Sequence, residues 1–401
     1  IAVAYILALL DEQDICHPCL EMVMTTEEET GLRGAEGIDL SMLRGRQLIN
    51  LDNEEEGVII TSCAGGARVD VCIPVQWEKI PEQGVQILQV KVKGLLGGHS
   101  GGEIDKGRGN ANYLLGQILK ELTKQFAIRL VEMKGGQADN AIPREAEAAL
   151  VILPEEKERI LLCIKKEAEK IKEQLGSADP DFAVLCTEDG EAEKTEENRI
   201  EEHNIKAKKQ ESDSKLYYNG REIEQCITTA ASNRALDCLT GLPNGIMAMS
   251  GDVKGLVQTS LNLGIMEQEQ DNLHLTYAVR SSVDQEKEAL CRRMQEIAGQ
   301  AEASATVRSS YPGWAYRRDS LLRDKLSEVF EQMYGHKPQL QAIHAGLECG
   351  LLAAKLPDLD CVSIGPDMSD VHTTQESISI DSVARMWEYL LAVLAKKEQT
   401  A

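Results

Sequence analysis

The sequence predicts an α/β protein with a mainly parallel sheet, interrupted by an inserted α+β domain. Strand-like runs alternate with helical stretches over residues 1–66 and again over residues 308–401, which is the pattern of a parallel sheet covered by helices. Over residues 67–307, apolar and polar residues alternate along the strands, as in sheets that bury one face. We therefore expect residues 1–66 and 308–401 to form one domain. Residues 67–307 would form the inserted domain, for which a duplicated unit is an open alternative.

The first domain is predicted to begin with an apolar helix over residues 1–12. Residues 20–25 (LEMVMT) predict a strand that leads through 27–31 into a second helical stretch. Two further strands are predicted in GRQLINLD and VIITSC, and the first of them ends at Asp52.

The inserted domain contains predicted strands and amphipathic helices in turn. The strands are VQILQVKVKGL, EAEAALVILP and NLHLTYAVRSSV, and the helices are GNANYLLGQILKELTKQF, KERILLCIKKEAEKIKEQL and residues 285–298. Residues 187–215 are rich in Glu, Lys, Asp and Ser and almost lack large apolar side chains, which predicts a solvated, mobile insertion.

The α/β pattern returns after residue 310. SLLRDKLSEVFEQMYG predicts an amphipathic helix, and CVSIGP predicts a strand. ISIDSVARMWEYLLAVLAKKEQ predicts a closing helix with Asp381 as its N-cap.

Charge and cysteine usage exclude several classes of partner. The chain of 401 residues has a formal net charge of −23. A surface of this sign repels nucleic-acid phosphates and anionic membranes, so neither is an expected partner. The eleven cysteines are an odd number scattered along the whole chain, which is typical of reduced thiols in the cytoplasm. The apolar run IAVAYILALL is too short to cross a bilayer.

Two groups of cysteines can be interpreted individually. Cys163 and Cys361 lie in apolar runs and are expected to be buried. Cys16 and Cys19 flank His17 with a spacing that zinc sites use, but no second Cys/His pair follows at a matching distance. A structural zinc site is therefore not expected there.

Three consecutive carboxylates, Glu27, Glu28 and Glu29, follow the strand predicted at 20–25. Crowded carboxylates are tolerated when buried mainly if they hold a cation or shift their protonation. The alternative is a solvated helix start that suits the helix dipole, and the pattern alone favours neither. Asp52 is a better candidate ligand, because an acidic residue at the carboxyl end of a strand stands where α/β sheets bind ligands.

Two histidines lie in settings that favour a functional role. His99 stands in GGHSGG, where four glycines allow close approach of the backbone and expose the ring. His372 lies in a loop after the strand CVSIGP, which suits a metal ligand. Three further candidates, each more often structural when taken singly, are Asn140 in GGQADNAIPRE, Arg280 in YAVRSS and Glu348 in HAGLECG.

Taken together, these motifs resemble the aminoacyl-histidine (Xaa-His) dipeptidase family, within the two-zinc exopeptidases that include carnosinases, aminoacylases and carboxypeptidase G. The shared segments follow the family's order along nearly the whole chain: LINLDNEEEG, CAGG, GGHSGGEI, GNAN, NAIPREA, PNG, TSLN, YPGW, IHAGLECG and VSIGP. The resemblance implies a zinc-exopeptidase-like catalytic domain formed by residues 1–66 and 308–401, with residues 67–307 as its lid.

The resemblance also implies roles for individual residues. Glu28 would be the general base, and His99 would steady the oxyanion of the tetrahedral intermediate. Glu29, Asp52 and His372 would bind two divalent metal ions, expected to be zinc. The substrate would be bound by Asn140, Arg280 and Glu348.

The implied reaction is the hydrolysis of dipeptides, preferably Xaa-His, in the cytoplasm, with small peptides as partners and a homodimer as a possible assembly. The family's His-x-Asp motif and bridging Asp do not occur in the chain, and both are expected upstream of Ile1. Two alternatives stay open. One is an N-acyl amino acid deacylase of the same superfamily, and the other is a non-catalytic, truncated fragment that binds peptides.

Overall fold

A computed structural model describes residues 1–12, 14–28, 32–188, 216–356, 358–371 and 373–396. Nearly all of the predicted mobile insertion lies outside these ranges, as do two candidate metal ligands, Glu29 and His372.

The described residues form nine α-helices. They are α1 (Ala2–Asp11), α2 (Arg33–Gly37), α3 (Ala111–Leu122), α4 (Lys157–Leu175), α5 (Thr229–Gly241), α6 (Asp284–Gln300), α7 (Leu321–Tyr334), α8 (Glu348–Lys355) and α9 (Ile380–Ala395). Within this part of the chain, no helix is long and apolar enough to cross a membrane.

The strands, numbered in chain order, fall into two main sheets and several short pairs. They are β1 (Gln47–Asn50), β2 (Val58–Cys63), β3 (Gly65–Pro74), β4 (Trp77–Lys79), β5 (Gln86–Lys93), β6 (Gly98–His99), β7 (Arg129–Gly135), β8 (Ala141–Ile142), β9 (Ala146–Ile152), β10 (Ala183–Glu188), β11 (Leu216–Tyr218), β12 (Arg221–Ile223), β13 (Gln225–Ile227), β14 (Gly245–Met249), β15 (Val257–Glu269), β16 (Asn272–Ser281), β17 (Ser304–Tyr311), β18 (Gln339–Ile343), β19 (Asp360–Ser363), β20 (Met368–Ser369) and β21 (Ser377–Ile378). The predicted helices and strands are confirmed, except at residues 20–25.

Residues 20–25 do not form the strand that their composition predicts. No described strand pairs with them, and a run of β-favouring residues becomes a strand only where a neighbour supplies backbone partners. The segment still contributes to packing, since Met22 lies against the apolar core between α1, α7 and α9.

The N-cap of α9 is Ser379, and the prediction of Asp381 is wrong. The hydroxyl of Ser379 accepts a hydrogen bond from the N–H of Ser382 at 3.3 Å. Asp381 lies within the first turn, where a negative charge suits the helix dipole. Ser and Asp are both favoured at helix starts, so composition could not separate the two positions.

The smaller sheet has four strands in the order β1-β19-β2-β18, all from residues 47–63 and 339–363. The pairs β1–β19 and β2–β18 are parallel, whereas β19–β2 is antiparallel, so the sheet is mixed. All six residues of β2 are buried, as expected for a strand covered on both faces. The apolar composition of β2 indicates that the strand is buried, but it does not indicate whether the neighbouring strands run parallel or antiparallel to it.

The larger sheet is antiparallel throughout, in the order β10-β5-β9-β7-β15-β16-β3-β17. Its strands alternate between buried and less buried positions, as the period of two predicts. The helices α3, α4, α5 and α6 share one large apolar core with alternate residues of these strands.

Two copies of one β-α-β-β-α-β connectivity build this sheet. The first, called here the inserted unit, is residues 86–188, with sheet order β10-β5-β9-β7. The second, the host unit, is residues 65–74 and 229–311, with the mirrored order β15-β16-β3-β17. The duplicated unit left open by the sequence is therefore observed, with one copy inserted between β3 and α5 of the other.

Glycines allow the two units to join closely at β7 and β15. A Cβ atom at Gly136, which has φ of +76°, would overlap the carbonyl oxygen of Gly264. A Cβ atom at Gly264 would in turn lie 2.6 Å from the backbone of Asp139. Only glycine permits this backbone contact.

Candidate active site

The two sheets meet where the chain passes from one to the other. Cys63 and Trp314 exchange two backbone hydrogen bonds of 3.0 Å, which hold both crossings side by side. Ile343, the last residue of β18, pairs with Cys63, and Ser281, the last residue of β16, pairs with Gly65. The ends of β16 and β18 therefore lie next to this junction.

His99 lies on the short β6–β8 pair, next to Asn140, and the residue is only partly shielded from solvent. The N–H of Ser100 donates to the carbonyl of Asn140 at 2.8 Å. The N–H of Gly102 donates to Nδ1 of His99 at 2.9 Å, so the proton of the neutral ring is on Nε2. Partial burial and then the charge of Arg280 lower the pKa of His99, so the ring is mainly neutral at pH 7. His99 thus presents an N–H donor.

Arg280 is a buried cation on β16, with 5% of its surface exposed. Burial lowers the pKa of its guanidinium, an effect that Tyr311 and Asp139 oppose and that Arg68 reinforces. Arginine nevertheless stays charged at neutral pH. Its Nε has no acceptor among the described residues. A buried cation with an unused donor is costly unless an anion binds to it, and a carboxylate fits the guanidinium geometry.

Gly101 lies between His99, Arg280 and a third residue, His344. A Cβ atom at this position would overlap the carbonyl oxygen of His344, and it would lie 3.0 Å from Cε1 of His99 and 3.1 Å from Nε of Arg280. Glycine is the residue that leaves room for the backbone there. Close approach is therefore one reason for the glycine-rich sequence around His99.

His344 is a site residue that the sequence analysis missed. Its Nε2 and the Ser260 hydroxyl are 2.7 Å apart, and 7% of the residue is exposed. Burial, reinforced by the charge of Arg280, lowers the pKa of His344 to about 4. The motif IHAGLECG contains both this histidine and Glu348, and only Glu348 was a candidate from the sequence. Burial of His344 against Ser260 depends on a contact between distant segments.

Glu348 connects the acidic segment to the junction. Its Oε2 accepts a hydrogen bond of 2.8 Å from the Thr25 hydroxyl, three residues before Glu28. Its Oε1 is buried and has no donor among the described residues. Glu27 has φ of +56°, a left-handed conformation that is uncommon for this residue type and is often found at functional sites.

Asp52 lies just beyond β1, at a cleft of about 590 Å³. The other charged residues that line the cleft are Glu54, Glu55 and Asp367. Glu56, which follows these residues, forms an ion pair with Arg385, and this contact lowers the pKa of its carboxyl group. Asp367 and the strand β20, which precede the position of His372 in the chain, also line the cleft.

The described residues thus bring His99, Asn140 and Arg280 together and connect Glu348 to the segment of Glu28. Within the described ranges, no three His, Cys, Asp or Glu side chains converge on a common point. Cys16 and Cys19 are exposed free thiols. Cys361 is buried as predicted, whereas Cys163 is only partly buried.

Comparison with known proteins adds three findings. A family model described as the peptidase dimerisation domain of the M20 peptidases matches residues 90–179. The cytosol non-specific dipeptidase of Escherichia coli (strain K12) is 32% identical over 394 residues, covering 98% of this chain and 75% of the relative. The crystal structure of aminoacylhistidine dipeptidase from Vibrio alginolyticus matches with a TM-score of 0.87 and 33% identity, over 100% of this chain and 75% of that one.

The chain belongs to the M20 metallopeptidases, in their aminoacyl-histidine dipeptidase branch. The predicted family, the α/β fold class and the assignment to hydrolases are therefore confirmed. Aminopeptidase PepT from Bacillus cereus matches with a TM-score of 0.51 and 14% identity, over 98% of this chain and 69% of that one, and shares the M20 fold alone. The dimerisation-domain match covers most of the inserted unit, which carries His99 and Asn140.

Proposed function

We propose that this M20 dipeptidase hydrolyses dipeptides with free termini and prefers a C-terminal histidine. The observation that carries the proposal is the buried Arg280, with an unused Nε donor beside His99. Arg280 would bind the substrate carboxylate, and Asn140 would contact the substrate next to it. Nε2 of His99 would donate to the oxyanion that develops on the scissile carbonyl. The name of the Vibrio alginolyticus relative supports the histidine preference.

Glu348 supports a dipeptide over an N-acyl amino acid as substrate. Its buried Oε1 lacks a donor, and its Oε2 is already bonded to Thr25. A peptide ammonium would supply the missing donor and an opposite charge. An acyl group offers neither, so the site favours a dipeptidase over an N-acyl amino acid deacylase.

Two divalent metal ions, expected to be zinc, would be held by Glu29, Asp52 and His372. Carboxylate and imidazole groups are the donors that zinc uses in catalytic sites, and Asp52 stands at a cleft lined with further carboxylates. Bound metal would supply activation of water and polarisation of the peptide carbonyl. Glu28 would accept the proton of the attacking water and deliver it to the leaving amine.

The proposal extends to domain organisation. Residues 1–66 and 308–401 would form the catalytic domain, and residues 67–307 would form the lid that carries His99, Asn140 and Arg280. The dimerisation-domain match supports a homodimer, and the name of the Escherichia coli relative supports a cytosolic location. Membership of a metallopeptidase family weighs against the alternative of a non-catalytic peptide-binding fragment, and stoichiometric metal in the purified protein would exclude it.

The general base is tested by Glu28→Gln, which keeps the size of the side chain and removes its basicity. Turnover should fall by about 10³-fold, while metal content stays unchanged. Glu27→Gln is the matched control, since Glu27 is an exposed neighbour paired with Arg33, and its turnover should stay close to that of the original protein. Normal turnover in Glu28→Gln would contradict the assignment.

The substrate class is tested with glycyl-histidine and N-acetyl-histidine, which differ only in the free amino group. We expect kcat/KM to be at least about 30-fold higher for glycyl-histidine, because a buried charged hydrogen bond contributes on the order of 2 kcal/mol or more. Glu348→Gln should narrow this ratio. Faster turnover of N-acetyl-histidine would favour the deacylase.

A further inference from the structure

The segment between β5 and α3, residues 94–110, carries His99 and is called here the histidine loop. It contains little regular structure, namely β6 and one short 3-10 turn at Ile104–Lys106. Glu103 braces it internally, accepting one hydrogen bond of 2.9 Å from the N–H of His99 and another of 2.9 Å from Arg108. Because a loop with little regular structure can adopt many conformations, its two ends must be held together at its base if His99 is to keep one position.

A single buried carboxylate lies at that base. Asp179 belongs to the turn between α4 and β10 and is 0% exposed. Its Oδ1 accepts a hydrogen bond of 2.7 Å from the N–H of Leu96. Its Oδ2 accepts one of 2.6 Å from the N–H of Gly109. These two donors are at opposite ends of the histidine loop, so one side chain holds both ends together.

The environment of Asp179 indicates a specific role for its charge. A buried carboxylate is costly unless it is paired or fully hydrogen-bonded. In the described part of the chain, no Lys, Arg or His forms an ion pair with Asp179. The two short hydrogen bonds from backbone N–H groups therefore offset the cost of burying its carboxylate. An apolar side chain could fill the same volume, but it could not join the two ends of the loop.

We propose that Asp179 is a positioning residue, which closes the base of the histidine loop and thereby holds His99 against Arg280. This inference rests on the proposed oxyanion role of His99, but the closure of the loop can be measured without reference to activity. Asp179 acts through His99 and does not touch the substrate.

The first test is tryptic cleavage of Asp179→Asn, which replaces one acceptor oxygen by an NH2 group facing an N–H. The loop contains two tryptic sites, the exposed Lys106 and the less exposed Arg108. We expect cleavage after Lys106 to accelerate at least about tenfold, because one end of the loop is released. Asp360→Asn is the matched control, since Asp360 is also buried and bonds to Ser320 and Leu322 far from the loop. The control should lower the free energy of unfolding without accelerating cleavage after Lys106.

The second test is a double-mutant cycle with His99→Ala. Asp179→Asn alone should lower kcat by about tenfold, and in the His99→Ala background it should lower kcat less than twofold further. If Asp179→Asn does not fold, Leu96→Pro removes one of the two N–H donors and tests the same closure. Faster cleavage with a non-additive kcat supports the proposal. Unchanged cleavage overturns the closure, and faster cleavage with fully additive losses overturns the link to His99.

If His99→Ala itself leaves kcat unchanged, the oxyanion role of the proposed function fails, whereas the cleavage result still decides the closure of the loop.

Discussion

The inserted unit and the host unit share one connectivity but contribute different kinds of group to the candidate site. The inserted unit contributes loops, because its β5–α3 connection carries His99 and its β7–β9 connection carries Asn140. In the host unit, β15 and β16 are joined by a tight turn, and its contribution is Arg280 within β16 itself. The corresponding strand of the inserted unit, β9, ends in buried Leu150, Val151 and Ile152.

This difference separates two requirements of a site. A charge that must be held without water is placed on a central strand, where neighbours on both sides fix it and exclude solvent. Groups that must reach a substrate are placed on loops, whose backbone can be reshaped by glycine without disturbing the sheet. Two units of the same connectivity thus support the candidate site in different ways.

The largest effect is expected when the host unit loses its charge in Arg280→Met. The substrate carboxylate would lose a bidentate salt bridge with the guanidinium group, so kcat/KM should fall by about 10³-fold. Arg323→Met is the control, because Arg323 is equally buried but bonds to the carbonyls of Arg317 and Arg318. A similar loss of kcat/KM in both variants would show that Arg280 acts through stability alone.

The next effect is expected at the loop histidine. His99→Ala removes the donor proposed for the oxyanion and should lower kcat by about 10²-fold with little change in KM. His274→Ala in the host unit is the control, since His274 is a partly exposed strand residue near Glu269. A rise in KM with kcat preserved would mean that His99 binds the ground state instead.

A smaller effect is expected where the host unit supports both loops of the inserted unit. The side-chain amide of Asn262 donates a hydrogen bond of 2.8 Å to the carbonyl of Ala141. Its Oδ1 accepts a hydrogen bond of 2.9 Å from the side chain of Asn110, at the end of the histidine loop. Asn262→Ala should lower kcat by about tenfold, because both loops lose an anchor. Asn112→Ala is the control, as it breaks a buried bond to Gly135 and should reduce the melting temperature while leaving kcat nearly unchanged.

The smallest effect on turnover is expected at His344, where pH dependence is the informative measurement. Its folded pKa of about 4 lies below the ordinary value of 6.5, so the unfolded chain binds the proton first as the pH falls. Stability is therefore lost between about pH 6.5 and pH 4. Urea unfolding at pH 7 and pH 5 should show a decrease that is roughly 2 kcal/mol smaller in His344→Asn. Equal decreases in both proteins would contradict this prediction.

Much of the fold could be predicted from hydrophobic periodicity, because each helix and strand is selected by local burial. The strand LEMVMT was predicted wrongly since pairing, and not composition, decides whether a segment joins a sheet. The order of the larger sheet could not be predicted either. β3 pairs with β16 across most of the inserted domain, and nothing in β3 specifies so distant a partner.

The candidate site was predictable where motif and geometry coincide. The glycines around His99 indicated close approach, and the structure places Gly101 against Arg280 and His344. His344 and Asp179 were missed because their surroundings are set by tertiary contacts, and an isolated His or Asp in a loop resembles many solvated residues. The sequence alone indicates no physical role for the segments GNAN, PNG and TSLN. In the structure, their asparagine side chains form hydrogen bonds with the backbone of Leu263 and Ala141.

The nesting of one unit inside the other determines an order of folding during synthesis. The inserted unit is continuous in sequence and can fold once residue 188 has left the ribosome, since all its strands are then present. β3 must wait roughly eighty residues longer for β16, or about 4–17 s at ordinary rates of translation. During this interval both edges of β3 lack their partners and are open to pairing with another chain. The early-folding inserted unit shortens the effective loop that must close when β16 arrives, and so favours the correct partner.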